Sequence, residues 1–222
     1  MLDQLQTRIN YSFKNAELLR IAMTHSSTMD ELNYERLEFL GDRVLGLIMA
    51  DLLYHRYPEE REGDLAKRHA ALVQGQTLAK VAERIELGSA LILSDAERAA
   101  GGAENENMLA DGMEALLGAV YLDAGESGPS ICKDLISRLW DDLMDVMIKP
   151  PQDSKTALQE WAQGRGLPLP LYELIGQEGP DHAPEFTMRV TVQGFPPEMA
   201  AGTSRRIAEK RAARALLNRL ES

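Results

Sequence analysis

Apolar residues recur every three or four positions through roughly the first two thirds of the chain, the spacing that lines one face of a helix. The clearest stripe is Leu37, Leu40, Val44, Leu45, Ile48, Leu52 and Leu53, and it predicts a helix over residues 33–57. Pro58 ends that helix, because the residue before a proline is pushed out of the helical region. Upstream, the pattern predicts short helices over residues 2–10 and 15–23, interrupted at Thr24-His25-Ser26-Ser27. Downstream come helices over residues 63–73 and 77–85, broken at Gln74-Gly75-Gln76, with Arg68 and His69 on the surface. Ser94 and Glu97 have capping-box spacing. Residues 99–107 read as a polar loop, and helices over 108–121 and 129–147 complete an all-α bundle.

The pattern then changes. Pro150-Pro151 stops the last helix and holds the chain extended, so residues 149–153 read as a linker between a domain of residues 1–148 and one of residues 154–222. Asp153 or Ser154 caps a helix running to about residue 165. Residues 171–177 and 186–192 alternate in the strand manner, with Phe186, Met188, Val190 and Val192 on one face. Residues 198–201 are a third, edge strand. Ser204 caps a final helix to residue 220, with Ala208, Ala212, Ala215, Leu216 and Leu220 inward. The expected architecture is multidomain: an all-α bundle followed by a small α+β domain of order α-β-β-β-α.

Charge separates the two parts further. Residues 1–150 hold 15 Lys and Arg against 26 Asp and Glu, a net of −11, whereas residues 151–222 hold 9 of each. An acidic first domain suits cation binding and excludes a generic polyanion binder. Within the balanced second part, residues 202–219 carry six basic residues against one Glu, a local patch suited to phosphates. A single cysteine, Cys132, forbids an intrachain disulfide and fits a reducing compartment. Met1-Leu2-Asp3-Gln4-Leu5 lacks the basic start and apolar run of a secretory signal, and no apolar run approaches the ~20 residues that span a bilayer. The expectation is a cytoplasmic protein without a membrane partner.

The candidate chemistry lies in carboxylates. Glu35, Glu38 and Asp42 stand three and four residues apart, so they share one helix face above the apolar stripe. A solvated acidic face is the competing reading there. Asp111 and Glu114 are again three apart, but in an otherwise apolar, small-residue helix where a surface reading is poor. Two carboxylate pairs on apolar-backed helices are what an oxygen-ligand metal site in a helical bundle requires. His25 is either a ligand, a proton carrier or a structural hydrogen-bonder.

Asn33-Tyr34-Glu35-Arg36-Leu37-Glu38-Phe39-Leu40-Gly41-Asp42, followed by Leu109-Ala110-Asp111-Gly112-Met113-Glu114-Ala115, resembles bacterial ribonuclease III, and the resemblance runs over almost the whole chain. The second part resembles a double-stranded-RNA-binding domain. The resemblance implies a metal-dependent endoribonuclease that cuts double-stranded RNA, such as ribosomal RNA precursors and structured transcripts, leaving 5′-phosphate and 3′-hydroxyl ends. It implies Mg²⁺, with Mn²⁺ as a substitute, held by Glu38, Asp111 and Glu114, and catalytic roles for Asp42 and Glu114. It further implies a homodimer with Phe39 at the interface, and RNA contacts from Thr156, Gln159, Glu160, His182, Arg205, Arg206 and Lys210. The family usually carries basic residues in the loop where this chain has Ala103, Glu104, Asn105, Glu106 and Asn107. A non-catalytic dimeric RNA-binding protein is the alternative function, and a hydrolase of small phosphoesters a third.

Overall fold

The computed structural model describes residues 1–147, 150, 153–180 and 184–221, which form two compact units, Met1–Pro151 and Gln152–Ser222. In the first, eight helices follow one another: α1 Leu2–Ile9, α2 Ala16–Met23, α3 Glu35–Arg56, α4 Glu62–Val73, α5 Gly75–Arg84, α6 Asp95–Ala99, α7 Glu106–Ala124 and α8 Gly128–Val146. Helix α7 is the axis of the bundle, and α2, α3, α5 and α8 all pack on it. Its composition explains this position. From Leu109 to Val120 every residue is buried except Asp111 and Glu114, which are half-buried. A helix that is apolar all round can be stable only when surrounded.

Local signals set most boundaries. Asn105 caps α7 by accepting from the Asn107 and Met108 amides at 2.9 and 3.2 Å, so the helix starts two residues before the expected position. Ser94 caps α6 by accepting from the Glu97 amide at 3.2 Å. Its own amide donates to Ser27 Oγ at 3.2 Å, so the Ser27 hydroxyl takes the place that Glu97 has in a reciprocal capping box. Only Gln74 separates α4 from α5, a shorter break than the three residues predicted.

Arg68 is buried and His69 is half-buried, so neither lies on a freely solvated face. Arg68 is 1% exposed, its guanidinium forked onto the Glu60 carboxylate at 2.6 and 2.8 Å and lying 3.9 Å from the centre of the Tyr57 ring. It also donates to the Met147 carbonyl. A planar fork can be buried when its donors are matched in this way. His69 Nε2 sits 2.9 Å from the Gly46 carbonyl and links α4 to α3. Sequence spacing placed both on a polar face, and tertiary partners turned that face inward.

The second unit contains α9 Ser154–Gln163, the strands β1 Leu171–Glu178, β2 Glu185–Thr191 and β3 Glu198–Gly202, and α10 Arg205–Glu221. The strands form an antiparallel sheet of order β1-β2-β3, with a bulge between Leu174 and Gly176. Both helices pack with Met188, Val190 and Val192 inside, as the alternation predicts. Helix α10 buries Ala208, Ala212, Ala213 and Leu216, whereas Ala215 is exposed. At that turn Ala213, two residues earlier, takes the inward place predicted for Ala215. His182 and most of the predicted linker lie outside the described residues.

Candidate active site and nucleic-acid interface

Helices α3 and α7 approach until their backbones touch. A Cβ on Gly41 would lie 1.7 Å from the Glu114 carbonyl oxygen, and one on Gly118 would lie 2.3 Å from that of Leu37. Glycine at both positions is what permits the contact. It sets Glu38 of α3 beside Asp111 and Glu114 of α7, about 70 residues later in the chain. The start of α3 is fixed separately. The Tyr34 amide donates to the Thr24 carbonyl at 2.9 Å, and the Tyr34 hydroxyl reaches Asp111 at 3.5 Å.

Electrostatics register the convergence. Burial raises the Glu38 carboxyl above its ordinary range, and Asp111 and then Glu35 add to the rise. Burial also raises Asp111, against the hydrogen bond from Tyr34 and the field of His25. Glu114 is pushed up to about 7, first by burial, then by Glu38 and Asp111, with Arg43 opposing. Half-buried carboxylates that raise one another are a site short of positive charge. Asp42, four residues on from Glu38 along α3, is paired with the adjacent Arg43 guanidinium. His25 Nδ1 accepts from the Ser27 amide at 3.0 Å, and its ring is edge-on to Tyr34.

No group of three or more His, Cys, Asp or Glu among the described residues is already arranged around a metal position. The donor chemistry nonetheless fits a hard divalent cation: carboxylate oxygens on two rigid helices, all three raised by burial and two of them, Glu38 and Glu114, also by acidic neighbours.

Phe39 lies on the solvent side of α3 and is 66% exposed, with Leu47 at 75% and Tyr54 at 69% along the same face. It is therefore not a core residue.

In the second unit, Asp153, Lys155, Thr156, Gln159, Arg205, Arg206, Glu209 and Lys210 line one open hollow of about 590 Å³. Asp153 caps α9 at the Lys155 amide and pairs with Lys210 at 2.7 Å, which holds its carboxyl below the usual range. Lys155 pairs with Glu209 at 2.5 Å, and its charge lies 4.6 Å from the centre of the Tyr172 ring. Four cations and two carboxylates leave the hollow net positive, beside the start of α10, which Ser204 caps. Thr156, Gln159, Arg205, Arg206 and Lys210 meet there. Glu160 stands about 100° round α9 from Gln159 and does not line the hollow. Sequence reasoning missed Tyr34, Arg43 and Lys155, all beside motif residues.

With this geometry in view, the similarities to known proteins become specific. Residues 15–138 match the family described as Ribonuclease-III-like, and residues 154–220 match the double-stranded RNA binding motif. Ribonuclease 3 of Caulobacter vibrioides is 48% identical over 224 residues, 98% of this chain and 95% of that protein. Ribonuclease 3 of Ehrlichia ruminantium is 45% identical over 216 residues, 96% of this chain and 94% of that protein. The nuclease domain of ribonuclease III from Campylobacter jejuni, solved in a study of the region involved in its dimer formation, aligns with a TM-score of 0.60 at 40% identity, over 64% of this chain and 99% of that one. A helical domain built around paired carboxylates, followed by an RNA-binding domain and matched by relatives along nearly its full length, places this chain in the ribonuclease III family of double-stranded-RNA endoribonucleases.

Proposed function

We propose that the protein cuts double-stranded RNA with a divalent metal, Mg²⁺ or in its place Mn²⁺, leaving 5′-phosphate and 3′-hydroxyl ends. The observation that carries this reading is the meeting of Glu38, Asp111 and Glu114 at the contact between α3 and α7, half-buried and mutually repelling. These three would hold the metal, and Asp42, one helical turn on from Glu38, would complete the site or orient the attacking water. When bound, the cation supplies positive charge for the non-bridging and leaving oxygens of the scissile phosphate and makes a water acidic enough to attack. Tyr34 steadies the Asp111 carboxylate, and the rigid helix pair keeps the acidic groups in register with the phosphodiester. No histidine or cysteine nucleophile is required. Ribosomal RNA precursors and other structured transcripts in the cytoplasm are the substrates this chemistry suits.

The exposed stripe Phe39, Leu47, Tyr54 supports a homodimer formed by covering this face with a second copy. Sedimentation should then give a particle of twice 24.6 kDa, and a strictly monomeric species across the micromolar range would sink the dimer.

Cleavage is tested by incubating the full chain with a long RNA duplex, with and without Mg²⁺, and sizing the products. Short fragments with Mg²⁺ alone are expected. Intact duplex under both conditions, with binding retained, would instead establish the non-catalytic binder.

Binding has a separate test. Arg205→Ala with Arg206→Ala removes two cations from the hollow beside α10. Each lost phosphate contact flattens the slope of log affinity against log salt by roughly 0.9, taking the B-DNA figure, so the double variant should lose roughly 1.8. Affinity should fall about equally for all duplexes, since shape and backbone rather than sequence are read. An unchanged slope with unchanged affinity would move the RNA surface elsewhere.

A further inference from the structure

The hollow of the second unit is lined by four cations, Lys155, Arg205, Arg206 and Lys210, and they are not held alike. Lys155 of α9 reaches across to Glu209 of α10, Nζ to Oε2 at 2.5 Å, with the two side chains 31% and 22% exposed. The Tyr172 ring, its centre 4.6 Å from the same ammonium, gives it a second and weaker contact. Lys210 of α10 reaches back to Asp153, the cap of α9, at 2.7 Å. Two ion pairs of opposite sense thus cross between the helices. Arg205 and Arg206 are exposed at the start of α10, and no carboxylate among the described residues pairs with either. Arg205 lies against the Phe186 ring, 5.8 Å from its centre.

We propose that Glu209 and Asp153 withhold Lys155 and Lys210 from the RNA, so that of the four cations only Arg205 and Arg206 meet phosphates. This rests on the reading of the hollow as the duplex-binding surface. A phosphate can take either lysine only by displacing a tethered carboxylate already in contact with it. The displaced carboxylate would then face a polyanion with its partner gone, so the exchange trades one ion pair for another and adds a repulsion. The arginines carry no such penalty, and their planar forks match phosphate oxygens. Lys210 thereby becomes a partner of α9 rather than an RNA contact. The two carboxylates keep the affinity of the domain below what its four cations would allow. Looser binding speeds dissociation, which suits an enzyme that has to release cut duplex.

The test uses the full chain without divalent metal and a fluorescently labelled RNA duplex of about 16 base pairs, the span that one such domain covers. Affinity is read by anisotropy over a salt series. Glu209→Gln keeps the shape of the side chain and frees Lys155. It should bind roughly 3- to 8-fold tighter at about 0.1 M salt and steepen the slope of log affinity against log salt by roughly 0.9. Lys155→Gln added to Glu209→Gln should return both quantities to wild type, because the pair is then removed as a whole. Asp153→Asn, which keeps a capping side chain on α9, should release Lys210 with the same gain. Unchanged affinity and slope in Glu209→Gln overturn the inference. A gain that survives in Lys155→Gln/Glu209→Gln also overturns it, since the repulsion of Glu209 itself would then be the cause. A slope flatter than wild type in that double variant overturns it too and makes Lys155 a phosphate contact already. The Arg205→Ala/Arg206→Ala variant separates these failures from that of the underlying reading. If its slope and affinity match wild type, the hollow is not the RNA surface and the inference falls with it.

Discussion

Glu114→Gln is expected to slow cleavage of duplex RNA by at least roughly 100-fold while leaving duplex affinity within about twofold of wild type. Glutamine keeps the volume and most of the hydrogen-bonding reach of glutamate but carries no charge. On the proposed reading the lost charge is one the metal needs, and duplex binding rests mainly on the hollow lined by α9 and α10. A second readout separates this from damage to the fold. The Glu114 carboxyl is raised from 4.5 to about 7 in the folded protein. A group raised in this way contributes stability below the unfolded value that is lost as pH rises through the folded one. Metal-free wild type should therefore lose stability between pH 4.5 and about 7, and Glu114→Gln should lack that part of the decline. At pH 8 without metal the variant should unfold at higher temperature than wild type, despite being inactive. Single-turnover cleavage, filter binding and thermal melts over a pH series measure the three quantities. Full cleavage by the variant would show that Glu114 is not a metal ligand.

Gly41→Ala is expected to destabilise the nuclease domain by about 3 kcal/mol or more. The new methyl would lie 1.7 Å from the Glu114 carbonyl oxygen, and backbone cannot rotate away as a side chain can. The helices must part, and Glu38 moves away from Asp111 and Glu114. Activity should fall even where the protein remains folded, since displacement by about 1 Å at a reacting centre costs roughly 100-fold. Gly118→Ala, with its methyl 2.3 Å from the Leu37 carbonyl oxygen, should behave alike. Gly63→Ala is the control. It lies in α4, where a Cβ meets nothing within 4 Å, and the better helix propensity of alanine should stabilise slightly. Urea titration followed by the nuclease-domain transition compares them. Equal midpoints for Gly41→Ala and Gly63→Ala would mean the two backbones are not in forced contact.

Three kinds of information were readable at the level of single residues. Helix and strand identity followed from periodicity, because burial of one face imposes the same repeat on every element that has one. Caps at Ser94, Asp153 and Ser204 were readable because a side chain and an amide two or three residues away settle them locally. The carboxylate candidates were readable because charge inside the apolar run of α7 has no structural excuse.

Contacts between distant residues were not readable. Arg68 and His69 looked solvated until Glu60, Tyr57 and the Gly46 carbonyl closed around them. Ala215 lost its inward place to Ala213, since a helix packed on both a sheet and another helix turns to suit both. Glu160 sits outside the hollow for a similar reason: its neighbour Gln159 was the one turned toward α10.

The amino-acid sequence by itself determined which groups exist to do chemistry: the carboxylates of two helices, and a basic start to the final helix. Tertiary structure decided which of them meet. Two glycines that no periodicity marks let α3 and α7 touch, and that contact turns Glu38, Asp111 and Glu114 into one coupled cluster with Arg43 at its rim. The reason is range: propensity and patterning act over a few residues, whereas a shared electric field requires side chains brought to within a few ångströms by packing.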